Sequence, residues 1–244
     1  MQIFPLSEGA FTIDKSKKFI PFKVGVDDLQ QRPKGSLLVE VQPFVIITSK
    51  DIIILDTGLG FVEVSGQLQI HKNLSAHGIN ATDVTKVILS HLHKDHSGGI
   101  AYPNKKVVAF ENADYYINKN EWNYAVENES ASYKKDNFLL LDRYSKTQFL
   151  EGDGVIDDYI YYEMSGAHSP FHQVFKIIEN NEIVFFGADE APQLMQMKNK
   201  FKAKYDFDGQ KSMELRQKWW KKGEEEKWTY LFYHDIKSPV FKFD

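Results

Sequence analysis

Apolar residues fall into short, bounded runs along most of the chain, and the spacing inside each run separates strands from helices. Leu37 to Val41 and Phe44 to Thr48 flank Gln42-Pro43, and Lys50-Asp51 leads into the unbroken run Ile52 to Leu55, as expected for a strand buried on both faces. That run stops at Asp56-Thr57-Gly58-Leu59-Gly60, where two glycines announce a turn; a helical segment from about Gln67 to His77 follows and ends at Gly78. Lys86 to Leu89 reads as a further strand and runs directly into His91-Leu92-His93-Lys94-Asp95-His96-Ser97-Gly98-Gly99.

Beyond this, Lys106 to Phe110 reads as a strand. The stretch Asn112 to Ser145, polar and aromatic with Tyr115 and Trp122 at i, i+7, reads as one or two helices. Strands return at Thr147 to Leu150 and Tyr159 to Glu163, then in a hairpin of Val174 to Glu179 and Ile183 to Gly187 around Asn180-Asn181. A helix from about Ser212 to Glu226, with Leu215 and Trp219 on one side, precedes closing strands Tyr230 to Tyr233 and Val240 to Phe243. The second strand-rich half therefore matches the first in layout. No repeat and no Pro/Gly/Ser linker divides them, so one domain over residues 1–244 is expected.

Composition changes this picture at three points. A chain of 244 residues, 42% hydrophobic and 14% aromatic, can bury a large core. A formal net charge of −4 gives no general attraction for nucleic acid or anionic lipid, which leaves a small molecule as the expected partner and says nothing of oligomeric state. The absence of cysteine excludes thiolate ligands, so any metal must be held by histidine and carboxylate. Without an apolar run of signal-peptide or membrane-span length, a cytoplasmic location is the expectation.

His91-x-His93-x-Asp95-His96 follows a predicted strand, and in extended chain residues two apart point to one side. The spacing thus favours a loop-borne metal site over a helical one, which would use i, i+4. Four ligands cannot close two metal shells, and three further metal-competent residues stand just past strand ends: His168, Asp189 and His234. Taken singly each is an ordinary structural residue; beside the His/Asp cluster they become ligand candidates.

These residues, with Asp56-Thr57-Gly58, follow the motif order of the metallo-β-lactamase superfamily, which the sequence resembles from about residue 35 onward. The resemblance implies an α+β fold, a four-layer αββα sandwich with metals at one edge. It also implies His91, His93 and His168 on one ion, Asp95, His96 and His234 on the other, and Asp189 between both. Zinc is the expected metal; iron and manganese accept the same donors. Asp56 is similar to the family's carboxylate behind a ligand histidine, and His172, close behind His168, is expected to support that turn. The implied activity is hydrolysis of an ester or lactone bond by a metal-bridging hydroxide, with Asp95 or Asp189 handling the proton. The alternatives are a phosphoester hydrolase on the same fold and a di-iron redox protein.

Within the family the chain is most similar to the N-acyl-homoserine lactonases. Those have a tyrosine three residues past the bridging aspartate, where this chain has Pro192. The aromatics Tyr115, Tyr116, Trp122, Tyr124 and Tyr133, and Trp219, Trp220 and Trp228, are expected to be core packing more than a substrate pocket. Lys218-Trp219-Trp220-Lys221-Lys222, balanced by Glu224-Glu225-Glu226, reads as an amphipathic surface helix. His71 and His77 read as surface or packing residues.

Overall fold

The computed structural model describes residues 1–103 and 106–243. In chain order its strands are β1 (Gln2–Pro5), β2 (Gly9–Ile13), β3 (Phe19–Pro21), β4 (Leu37–Val41), β5 (Phe44–Ile47), β6 (Ile52–Leu55), β7 (Lys86–Ile88), β8 (Asp114–Asn118), β9 (Thr147–Leu150), β10 (Gly154–Ile156), β11 (Ile160–Met164), β12 (Gln173–Glu179), β13 (Glu182–Phe186), β14 (Thr229–Leu231) and β15 (Val240–Lys242). Its helices are α1 (Gln69–Ser75), α2 (Lys94–Ser97), α3 (Lys119–Glu127), α4 (Leu194–Lys198) and α5 (Gly209–Glu225).

Two six-stranded sheets, β1-β5-β6-β7-β8-β9 and β10-β11-β12-β13-β14-β15, are joined by a smaller sheet, β3-β2-β4. Strand β6 shows how the layers are specified. Its alternate residues serve opposite faces: Ile54 joins Leu74, Trp122 and Ala125 under α1 and α3, while Ile53 and Leu55 join Phe44, Phe175 and Phe186 between the two sheets. On the far side Val174 and Phe185 meet Trp219 and Trp228 beneath α5. The result is the expected helix, sheet, sheet, helix sandwich. Parallel pairs need crossovers: α1 lies between β6 and β7, α3 between β8 and β9, and α5 between β13 and β14.

Two expectations are corrected. Residues 112–145 are not purely helical, because Asp114–Asn118 is a strand paired in parallel with both β7 and β9. Tyr115 and Ile117 face the helices while Tyr116 faces the inter-sheet core, a period of two hidden in a tyrosine-rich stretch. The Tyr115–Trp122 spacing spans the strand–helix junction at Asn118, whose side chain caps α3 by accepting from the backbone N–H groups of Asn120 and Glu121. Lys106–Phe110 is not a strand: Val108 makes only an isolated bridge to Ala101, and Phe110 turns into the core.

The N-terminal segment, to which the apolar pattern assigned nothing, supplies β1, β2 and β3. Among the described residues no helix is long and apolar enough to cross a membrane.

Candidate metal centre

The site begins where β6 and β7 end side by side. Asp56 follows β6 with a left-handed backbone, φ 56°, and is fully buried. A non-glycine residue held there is strained, and such strain persists where the surroundings over-determine it. Here the Asp56 carboxylate accepts from the Ser90 N–H at 2.7 Å, from the Ser90 hydroxyl at 2.7 Å and from His96 Nδ1 at 2.7 Å. The turn that follows lies backbone to backbone on Gly98-Gly99. A Cβ on Gly60 would sit 2.2 Å from the Gly98 carbonyl oxygen, and one on Gly98 2.2 Å from that of Leu59, so this approach requires glycine on both sides.

The motif itself is extended only at its start. Lys94–Ser97 winds into one helical turn, with His96 N–H and Ser97 N–H donating to the His93 carbonyl. Asp95 and His96 are therefore presented from a helix rather than from the extended chain that the spacing suggested. The clustering survives because the turn packs against the Asp56 loop: the Thr57 N–H and hydroxyl both donate to the His96 carbonyl.

All seven expected residues converge. His91, His93, His168 and Asp189 form one group, and Asp95, His96 and His234 a second; within each group one ligand atom per residue lies within 4.8 Å of the others. Asp189 faces both. Its Oδ2 is 3.0 Å from His168 Nε2 and 3.9 Å from His91 Nε2, while Oδ1 is 2.9 Å from His234 Nε2 and 3.2 Å from His96 Nε2. Asp95 Oδ2 lies 3.6 Å from His234 Nε2.

The rings are oriented from behind. Nδ1 of His91 meets Ser90 Oγ, whose proton goes to Asp56; Nδ1 of His96 meets Asp56, that of His168 meets Asp206 at 3.0 Å, and that of His234 meets the Glu40 carbonyl. With Nδ1 carrying the proton, each Nε2 presents a lone pair inward. Nε2 of His91, Nε2 of His96 and Oδ1 of Asp189 are buried without a hydrogen bond among the described residues. Orphaned buried acceptors that converge are costly unless something electropositive joins them, so the residues fit divalent cations.

Electrostatics agree. Against its burial, His234, His96 and His168 hold the Asp189 carboxyl well below the usual carboxylate range. Burial, reinforced by neighbouring rings, pushes His91 and His93 well below the ordinary histidine value, the neutral form a ligand needs. Burial opposes charge on His168, His96 and His234 too, but neighbouring carboxylates, Asp189 first, raise all three, His168 to about 10; cations must displace those protons.

Several supporting residues carried no sequence signal. Asp206, in an irregular segment, backs His168. Glu190 accepts from the Ala167 and His168 N–H groups, at 2.8 and 2.5 Å, and from the hydroxyls of Ser165 and Ser212, which ties the His168 turn to α5. Glu121 accepts from Leu92 N–H, the Tyr133 hydroxyl and Ser169. Glu8 accepts from Leu59 N–H at 2.5 Å. His172 packs beside the His168 turn: its Nδ1 meets Ser165 Oγ, its ring centroid is 4.9 Å from that of His91, and its carbonyl accepts from the Ser165 and Gly166 N–H groups.

A cavity of about 370 Å³ opens over these groups, walled by apolar residues that include Phe19, Leu37, Val39, Phe201 and Phe207. Of the aromatics singled out from sequence, Tyr124 and Tyr133 line it. Tyr115, Trp122, Trp219 and Trp228 are core. Pro192 also lines the cavity, as does Tyr205, whose ring lies 6.0 Å from that of His168. His71 is a packing residue against Tyr102 and Phe110, and His77 stacks on Phe4.

Comparison with known proteins gives the same picture. The N-acyl homoserine lactonase AttM of Azorhizobium caulinodans is 34% identical over 116 residues, which span 43% of this chain and 40% of that lactonase. A probable metal-dependent hydrolase from Staphylococcus aureus superposes with a TM-score of 0.81 at 20% identity, over 99% of this chain and 91% of that one. The dizinc quorum-quenching lactonase AidC, in complex with a product, superposes at 0.74 and 20% identity over 98% and 88%; at such identities these likenesses concern the fold. The family description "Metallo-beta-lactamase superfamily" matches residues 39–187, and the chain belongs to that superfamily.

Proposed function

We propose that this metal-dependent hydrolase holds two divalent cations, zinc by its donor set, and opens a lactone or ester bond of a small molecule. His91, His93 and His168 would hold one cation, Asp95, His96 and His234 the other, with the two oxygens of Asp189 shared between them. The observation that carries this reading is the Asp189 carboxylate facing Nε2 atoms of both groups while its Oδ1 makes no hydrogen bond. When bound, the two ions supply Lewis acidity to the bond under attack and bring the pKa of the attacking water toward neutrality.

The chain's own residues do the rest. Asp56, Ser90 and Asp206 hold the ring nitrogens in the ligating tautomer. The apolar cavity walls exclude water from around the reacting bond. Asp95, in the second group and at the cavity surface, would carry the proton to the leaving oxygen.

The likeness to AttM and AidC favours a lactone carbonyl as the electrophile. The test is elemental analysis combined with ring-opening of N-hexanoyl-homoserine lactone, measured as acid release, alongside ester and phosphodiester substrates and a His93→Ala control. About two zinc per chain and lactone or ester turnover lost on chelation are expected. Turnover confined to phosphodiesters, or turnover that survives chelation, would refute the reading.

A further inference from the structure

Apart from groups at the metal centre and Asp206 behind it, the charged side chains lining the cavity are Lys17 and Lys94. Lys17 sits in the turn between β2 and β3 with a left-handed backbone, φ 57°, strain of a kind that concentrates at functional positions. Lys94 donates from Nζ to the Lys17 carbonyl and lies 5.4 Å from the centre of the Phe19 ring. Burial disfavours its charge, Asp95 attracts its ammonium, and Lys134 and Lys17 repel it.

Among the described residues no carboxylate comes within ion-pair distance of Lys17, Lys94 or Lys134. The buried Lys86, by contrast, is paired with Asp51 at 2.6 Å. Lys17 and Lys94 are both half-buried and both line one cavity. Like charges held close together are unfavourable, and an anion between them offsets that cost with charge-assisted hydrogen bonds.

We propose that Lys17 and Lys94 form an anion subsite, and that the substrate carries a negatively charged group, carboxylate or phosphate, separated by an apolar segment from the bond that is cut. The apolar segment lies along Phe19, Leu37 and Val39, which wall the cavity beside the lysines. This rests on the hydrolase reading above and adds the substrate's charge to it.

The test has a kinetic and a binding arm on the zinc-loaded protein. The first compares mono-para-nitrophenyl glutarate with its neutral counterpart para-nitrophenyl valerate. The expected result is a kcat/KM about tenfold higher for the anionic ester, carried by KM, shrinking as salt is raised from about 0.02 to about 0.5 M. Lys17→Asn, which tolerates the left-handed backbone, should erase that preference. Lys221→Asn, the same charge change at an exposed position of α5, should retain it.

The binding arm measures adipate against hexanoate by calorimetry, with adipate expected about tenfold tighter in the wild type and not in Lys17→Asn. Equal handling of charged and neutral ligands in both arms, or a preference that Lys17→Asn leaves intact, would overturn the subsite. If no ester is cut but adipate still binds more tightly through Lys17, the subsite stands and the hydrolase reading fails.

Discussion

The first sheet brings His91, His93, Asp95 and His96 to the site from one stretch after β7, whereas the second brings His168, Asp189 and His234 from three separate strand ends. The supports differ in the same way. Behind the first stretch a single carboxylate, Asp56, reaches His96 directly and His91 through Ser90. In the second half the supports are separate: Asp206 for His168, the Glu40 carbonyl for His234, and Glu190 for the turn that carries His168. A local cluster can share one buried carboxylate between two rings; ligands gathered from distant segments are held by separate groups. The second half is therefore where single substitutions should separate folding from metal binding.

The largest effect is expected at Glu190. Its carboxylate satisfies two backbone N–H groups and two hydroxyls in a fully buried position. Glu190→Ala leaves the Ala167 and His168 N–H groups and the Ser212 hydroxyl without that partner, while the Ser165 hydroxyl can still donate to the His172 carbonyl, and at about 1 kcal/mol or more per orphaned donor the expected loss of stability is about 3 kcal/mol. Urea unfolding of the metal-free protein measures it. A loss below about 1 kcal/mol would mean that the His168 turn holds itself together, and the contrast between the halves would collapse.

A smaller pair of effects sharpens the contrast. Removing a carboxylate behind a ligand histidine costs roughly 10–100-fold in metal affinity. Asp206→Ala should impose that loss on one zinc equivalent, the His91, His93 and His168 group, and leave the other tight. Asp56→Ala should weaken both, since Asp56 holds the His96 ring directly and the His91 ring through Ser90. Zinc competition against a graded chelator distinguishes one weakened equivalent from two. Identical profiles for the two variants would show that the groups do not act separately.

This asymmetry also governs what sequence alone could show. The sandwich and all seven converging residues were legible, because β6 and β7 announce themselves as buried runs and the His/Asp cluster is local. His168, Asp189 and His234 were legible only as residues past strand ends beside that cluster and through the family's motif order. Asp206 and Glu190 were not: their work depends on which loop α5 packs against, which no spacing encodes. The strand Asp114–Asn118 was missed because its identity comes from two parallel neighbours, and tertiary pairing overrides local pattern. The helical turn at Lys94–Ser97 was missed for a related reason, as its packing on the Asp56 loop decides its shape. The wall of the cavity formed by β2 and β3 lay in a segment whose short strands show no sustained periodicity.

The smallest effect concerns Glu8, which braces the turn after Asp56 from the N-terminal segment. Glu8 arrives from the segment between β1 and β2, accepts from the Leu59 N–H at 2.5 Å, and has the N–H groups of Gly60 and Phe61 nearby. Burial raises its carboxyl to about 7 despite those N–H groups. The folded protein therefore holds a proton that the unfolded chain has released, between the ordinary carboxyl value and about 7. Since the native state binds more protons in that window, Glu8's contribution is fully present below the unfolded value and is lost as pH rises through about 7. The rigid-site upper limit on that loss is about 3 kcal/mol, and relaxation around the loop brings it to about 1 kcal/mol. Glu8→Gln has no proton to lose, so its stability relative to wild type should rise between pH 5 and pH 8, measured on metal-free protein by urea unfolding. A difference that stays flat across that window would show that Glu8 is already ionised at pH 5. The backbone N–H groups of the loop, rather than burial, would then dominate its charge.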